Sequence, residues 1–153
     1  MDDALSRSIA ADIASGVLRL MARFDFVGVT EMTLVNARRA DVCALGPKGE
    51  LSIVEIKSSI ADFKSDQKWH EYRPFCDRFY FAVGHDFPQD LIPQDAGLII
   101  ADKFGGAILR EPEEHKLAAA RRKAMTLRFG RLATRRLMQL QRTLADAPQG
   151  PAA

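Results

Sequence analysis

Cysteine is scarce in this chain, two in 153 residues, and neither has the close second Cys or His that a zinc site needs. The longest apolar runs, Phe79 to Val83 and Gly97 to Ala101, are far too short to cross a bilayer, so no membrane association is expected. Met1-Asp2-Asp3 is acidic where a secretory signal is basic. A cytoplasmic, reducing compartment is therefore expected, with Cys43 and Cys76 as free thiols and Cys43 in the core. His70, His85 and His115 are scattered without ligand spacing and read as surface residues. Nothing has the spacing of a Ser-His-Asp triad, a Walker loop or a GxGxxG turn, which removes several common catalytic and nucleotide-binding classes.

The second absence is local. From Lys116 to Ala145 there is no Asp or Glu, while Lys116, Arg121, Arg122, Lys123, Arg128, Arg131, Arg135, Arg136 and Arg142 supply nine cations. The formal charge of +2 thus conceals a rest of chain near −7. Such an asymmetry fits a polyanionic partner at the basic end; a solvated helical face is the alternative.

Leu5, Ile9, Ile13, Val17, Leu20 and Met21 recur at helical spacing and predict a helix over 4–23, with Gly28 in the break after it. A short apolar segment, 32–35, leads to a strand over 39–45. Gly46-Pro47-Lys48-Gly49 predicts a hairpin turn, with 51–57 as the returning strand. Ser59-Ile60-Ala61-Asp62 has capping-box spacing and opens a helix expected over 60–73, stopped by Pro74. Its Ile60, Phe63, Trp69 and Tyr72 do not share one stripe. Further strands are expected at 79–83, 97–101 and 107–110. Glu111-Pro112-Glu113-Glu114 then opens a helical region, with a break expected at Gly130. Its buried side is assigned to Leu117, Ala124, Leu127, Leu132, Leu137, Leu140 and Leu144. The sum is an α/β fold, a sheet of about five strands flanked by helices. Residues 1–145 form one domain, with a basic helical region over 113–145, and 146–153 form a disordered tail.

Buried strands rarely carry charge, because an unpaired ion in a core costs several kcal/mol. Here Asp41 sits among Ala40, Val42 and Cys43, and Glu55 between Val54 and Ile56, with Lys57 ending the run. Residues two apart on a strand share a face, so Glu55 and Lys57 project together, and a hairpin register places Asp41 beside Glu55. Two carboxylates and an ammonium on one half-buried face suit a hard divalent cation such as Mg²⁺. A cross-strand salt bridge of either acid with Lys57 or Arg39 is the structural alternative.

An Asp on one strand and Glu-x-Lys on the next is the signature of the PD-(D/E)xK nuclease superfamily, which this chain resembles. A longer set of residues resembles the MmcB-type bacterial DNA repair proteins: Arg39-Ala40-Asp41, Glu55-Ile56-Lys57-Ser58-Ser59, Asp62-Phe63, Asp66-Gln67-Lys68-Trp69, Tyr72, 76–82 and 97–102. Ala40 stands where the superfamily name has Pro, a variable position that supplies no ligand. The resemblance implies a restriction-endonuclease-like core with a mixed sheet. It implies Mg²⁺ or Mn²⁺ held by Asp41, Glu55 and the carbonyl of Ile56, Lys57 assisting the attacking water, and Glu31 as an additional acid.

Lys68 and Trp69 fall where related nucleases approach substrate; Trp69 is read either as a base-stacking ring or as core. Asp62 and Asp66 form an unexplained like-charge pair, and Asp66 is free to hold Lys68, Arg73 or a site residue. Arg121, Arg122, Lys123, Arg128, Arg131, Arg135 and Arg136 are expected to grip backbone phosphates without reading sequence. The expected activity is Mg²⁺-dependent hydrolysis of DNA in repair, with a homodimer or a repair complex as the assembly. A non-cutting DNA-binding module on the same fold, or an RNA-processing enzyme, are the rivals.

Overall fold

In the computed structural model, which describes residues 2–151, the first helix forms at Asp3–Ala22 (α1), capped by the Asp2 carboxylate. The strands are Val27–Thr33 (β1), Arg39–Leu45 (β2), Leu51–Lys57 (β3), Arg78–Val83 (β4), Gly97–Asp102 (β5) and Gly105–Arg110 (β6). They form one mixed sheet in the order β1-β2-β3-β4-β5-β6, parallel across β3–β4–β5 and antiparallel elsewhere. The sheet therefore has six strands, not about five. The added one is β1, which begins at Val27 rather than near Met32. Gly28 does not break the chain; it pairs with Ala44 within β1, and the Leu18 side chain of α1 lies 2.4 Å from where a Cβ would be.

Each face of the sheet is covered. Ile13, Val17, Leu20 and Met21 of α1 pack on Val42, Val54, Tyr80 and Ile99. On the other face Phe63, Trp69, Tyr72, Phe75, Met125 and Phe129 pack on Cys43, Ile53, Phe79, Phe81 and Ile100. Both cysteines are buried. With both faces covered, the central strands read as continuous apolar runs rather than alternating ones. Among the described residues no helix is long and apolar enough to cross a membrane.

The helix expected over 60–73 is shorter, Ile60–Ser65 (α2), followed by single 3₁₀ turns at Trp69–Glu71 and Arg73–Phe75. Ser59 caps it as its spacing predicts, accepting from the Asp62 amide at 3.1 Å. Asp66 then leaves helical geometry (φ −123, ψ 100), and the separate turns bury Trp69 and Tyr72, which one helix face could not do. The missing apolar stripe was the signal of this interruption.

The C-terminal helix starts later than expected, at Ala119–Ala145 (α3), and runs through Gly130 without a break. Residues 111–118 are instead drawn along the sheet. Glu111 and Glu114 pair with Arg78 at 3.2 and 3.3 Å, and Glu111 accepts from the Tyr80 hydroxyl. These acids answer a cation on β4, so they do not serve as a first helical turn. Leu117, Met125 and Phe129 are buried, whereas Leu127, Leu137, Leu140 and Leu144 are exposed, contrary to the expected buried side. Residues 146–151 of the expected tail carry no helix or strand; 152, 153 and Met1 lie outside the described residues.

Asp77, 5% exposed, anchors this terminus. Its carboxylate accepts from the Leu51 amide at 2.8 Å, the Leu117 amide at 2.9 Å and both terminal nitrogens of Arg122 at 2.7 Å. Burial pushes the carboxyl up, but the guanidinium and the two amides together outweigh it and hold it below the usual carboxylate range. Stability from this group is therefore complete above about pH 4, the unfolded value, and is lost as pH falls through the lower folded value.

Two outcomes follow from this packing. Asp77→Ala leaves the buried Leu51 and Leu117 amides and the half-buried Arg122 guanidinium without their acceptor and should cost about 2 kcal/mol in urea unfolding at pH 7. The gap to wild type should narrow as pH falls below about 4 and Asp77 takes up its proton through the lowered folded value. At Gly16 a Cβ would lie 1.8 Å from the Asp102 carbonyl oxygen and 2.7 Å from that of Gly105, both backbone atoms. Gly16→Ala must push α1 off the β5–β6 turn, and a loss of about 2 kcal/mol or more is expected by the same measurement.

Candidate functional site

The β2–β3 ladder ends at Val42 opposite Val54. One step further, the two strands are joined through side chains. The Asp41 amide donates to Glu55 Oε1 at 3.0 Å, and the Ile56 amide donates to Asp41 Oδ2 at 2.8 Å. Each carboxylate replaces a lost ladder acceptor. Asp41 and Glu55 thus stand side by side, as the hairpin register required.

They line an open cleft of about 950 Å³ between α1, β1 and the segment after α2. Ile56, Lys57, Ser58, Asp62, Asp66 and Tyr72 share its lining, as do Arg7, Arg38 and Arg39. The Lys57 ammonium, with its side chain 4% exposed, pairs with Asp66 Oδ2 at 3.3 Å. Neither Asp41 nor Glu55 forms an ion pair among the described residues, so the cross-strand salt bridge is not what holds them. Asp66 resolves the like-charge puzzle on α2: it leaves the helix and turns to Lys57. Asp62 receives the Ser58 amide at 3.1 Å, and Ser58 Oγ meets Ser6 Oγ of α1 at 2.7 Å, which ties the strand end to both helices.

This arrangement is electrostatically unsatisfied. Burial first, and then the neighbouring Asp41 charge, push the Glu55 carboxyl up to about 9; burial also raises Asp41. A divalent cation is the kind of group that lets both ionise, and the donor set, two carboxylates beside an open cleft, fits a hard oxygen-seeking ion. Glu31 does not join them. It stands on β1 opposite Asp41, in the left-handed region (φ 53), and lines the same cleft, but its side chain is 62% exposed and faces Arg39 at 3.9 Å. Among the described residues no group of three or more His, Cys, Asp or Glu is placed to share a metal. Glu31 therefore stands in the lining of the cleft, at its exposed rim, rather than against the carboxylate pair.

The expected phosphate-gripping residues divide. Trp69 is 5% exposed and stacked on Phe79 at 5.4 Å, so no face is left for a base. Arg122 is committed to Asp77 and to the Gly49 carbonyl, 2.8 Å away. Both leave the DNA-binding set. Arg121 lies over the Phe75 ring and donates to the Pro74 carbonyl. Arg128 donates to the carbonyl of Thr33, and Arg136 to those of Thr30 and Glu31, on the outer edge of β1. These three guanidiniums fasten α3 to the body while their surroundings remain open. Lys68, Lys123, Arg131 and Arg135 are exposed, without a side-chain hydrogen bond or ion pair among the described residues. The rim cations Arg7 and Arg38, paired with Asp3 and Glu71, escaped the sequence reading, and Arg39 entered it only as a neighbour of Asp41; folding gathers the three at one cleft.

Because the Glu55 carboxyl titrates higher in the fold than in the unfolded chain, its contribution to stability is full below about pH 4 and is lost as pH rises toward about 9. Thermal unfolding without metal should show Tm falling over that interval. Added Mg²⁺ should raise Tm, more at pH 8 than at pH 6. Glu55→Gln should raise the metal-free Tm at pH 8 and abolish the Mg²⁺ shift; a Mg²⁺ shift unchanged in that variant would place the ion elsewhere.

Comparison with known proteins agrees with this architecture. No curated protein matches the chain significantly. A solved structure of a protein of unknown function from Silicibacter pomeroyi is 42% identical, covers 93% of this chain and 97% of its own, and superposes with a TM-score of 0.85. A family model described as DNA repair protein MmcB-like matches residues 1–144, nearly the whole described length. The chain belongs to the MmcB-like family of DNA repair proteins.

Proposed function

We propose that this protein is a metal-dependent deoxyribonuclease of the PD-(D/E)xK type, acting on DNA in repair. The observation that carries the reading is the pair of adjacent carboxylates, half-buried Asp41 and buried Glu55, which line an open cleft and form no ion pair among the described residues. Two such groups held together against their own repulsion are costly unless a cation is their partner. Asp41, Glu55 and the Ile56 carbonyl are the residues that would hold Mg²⁺ or Mn²⁺. The ion supplies charge neutralisation at a phosphoryl group and a more acidic bound water.

The chain's own residues do the rest. Lys57, held by Asp66 two positions along the strand from Glu55, presents a fixed ammonium that orients a nucleophile and offsets charge growing on the phosphate. Arg38 and Arg39 on the β1–β2 side and Arg7 on α1 offer guanidiniums to backbone phosphates at the rim, and Lys68, Lys123, Arg131 and Arg135 extend that charge outward. Such contacts give salt-dependent affinity with little base preference.

A second reading has its own support: among the described residues only Asp41 and Glu55 stand side by side, while Glu31 sits at the exposed rim of the cleft beside Arg39. A DNA-binding module that keeps the fold without cutting would need no third acid. Incubation of branched, nicked and linear DNA, and of RNA, with Mg²⁺ or Mn²⁺ separates the readings. Cleavage by wild type that falls about 10²–10⁴-fold in Asp41→Asn and in Lys57→Ala supports the nuclease. Salt-sensitive binding without cleavage of any substrate supports the module.

A further inference from the structure

The face by which α3 docks does not end where the body ends. Arg122, Met125, Phe129, Leu132 and Arg136 follow one another at helical spacing along the side turned to the sheet, and Arg136 makes the last hydrogen bond from α3 to the body, at the β1 edge. The same stripe continues as Leu137, Leu140 and Leu144, with nothing beneath it. These leucines are 53%, 56% and 68% exposed, and every residue from 134 to 151 is exposed. The overhang is about 10 Å long from Leu137 to Leu144. Fastening by Arg128 and Arg136 fixes its direction, so it cannot fold back on its own body.

We propose that this overhang pairs, antiparallel, with the same segment of a second copy of this chain. The charge pattern favours self-pairing over an acidic partner helix. Of the residues flanking the stripe, Gln141 and Thr143 are neutral and Arg136 is spent on the β1 carbonyls, so the seam offers an acidic helix no free cation and sets no like charges against each other in a pair. Arg142 and Arg135 lie on the far side of the helix. The leucine spacing of three then four is that of a coiled-coil seam, and a two-fold axis near Leu140 and Gln141 sets Leu137 of one copy opposite Leu144 of the other. Opposed macrodipoles suit this orientation. The seam is small beside a standard interface of about 1,600 Å², so the dimer is reversible, with a dissociation constant on the order of 10–100 µM. Because α3 is bonded to β1 beside the cleft, pairing would put two copies of the candidate site on one particle.

Sedimentation velocity of the whole chain, without DNA, from about 5 to 500 µM and in about 0.3 M salt to screen the arginines, tests this. The expected result is a monomer–dimer equilibrium in wild type that is weakened at least about tenfold in Leu140→Glu/Leu144→Glu, with the circular dichroism spectrum and Tm preserved, since both side chains are exposed. Independently, Gln141→Cys should oxidise to a disulfide-linked dimer much faster than Thr126→Cys; the native cysteines are buried. A wild type that stays monomeric throughout overturns the proposal. So does a leucine variant that dimerises unchanged, or crosslinking at Gln141 no faster than at Thr126. Monomeric protein that instead sediments with vesicles of anionic phospholipid would assign the stripe to a lipid surface.

Discussion

All seven residues of β3 are buried, yet the strand carries Glu55 and Lys57, and its neighbour supplies Asp41. A buried ion must be paired, hydrogen-bonded or neutralised, and much of the surrounding structure answers that requirement. The backbone between β2 and β3 opens so that Asp41 and Glu55 accept amides in place of ladder carbonyls. The helix α2 stops at Ser65 so that Asp66 can reach Lys57. What is left over is a carboxylate pair without a cation, beside a cleft. Structural strain of this kind concentrates where a ligand relieves it, and here it coincides with a non-glycine residue, Glu31, in the left-handed region directly across β2.

A second set of charges organises the C-terminal part. Arginine has five donors and no acceptor, and α3 uses them where backbone oxygens lack partners: the carbonyls of Gly49 and Pro74 and the outer edge of β1. An edge strand covered in this way is closed to further strand addition. The basic character of this helix therefore serves two ends, attachment through Arg121, Arg122, Arg128 and Arg136, and an outward-facing positive surface through Lys123, Arg131 and Arg135. Composition alone assigned all seven to the second. The Asp77–Arg122 pair joins the start of β4, the hairpin turn and the first turn of α3, so the helix is bonded to the body at its beginning and again at mid-length.

Local patterns carried the expectations that were borne out. The α1 periodicity, the Gly-Pro turn, the Ser59 cap and the apolar strands report on short-range physics, and each formed. The interrupted pattern after Ile60 also spoke, since four large apolar residues without a shared stripe cannot belong to one buried helix. Where expectations missed, a distant partner had intervened. Glu111 and Glu114 lost their helix to Arg78, Gly28 pairs within a strand over which Leu18 packs closely, and Arg122 went to Asp77.

By itself the sequence determined that a hairpin would bring Asp41, Glu55 and Lys57 near one another, because strand periodicity and a short turn leave few other registers. It also determined that the chain's cations would gather on a C-terminal helix. Only the tertiary structure decided which charges neutralise which: Lys57 answers Asp66 rather than the neighbouring acids, Arg122 answers Asp77, and Glu31 faces Arg39. Pairing of this sort depends on distances set by segments 8 to 45 residues apart. Coulomb energies in a low-dielectric interior change steeply over those few ångströms, and no one-dimensional pattern records them.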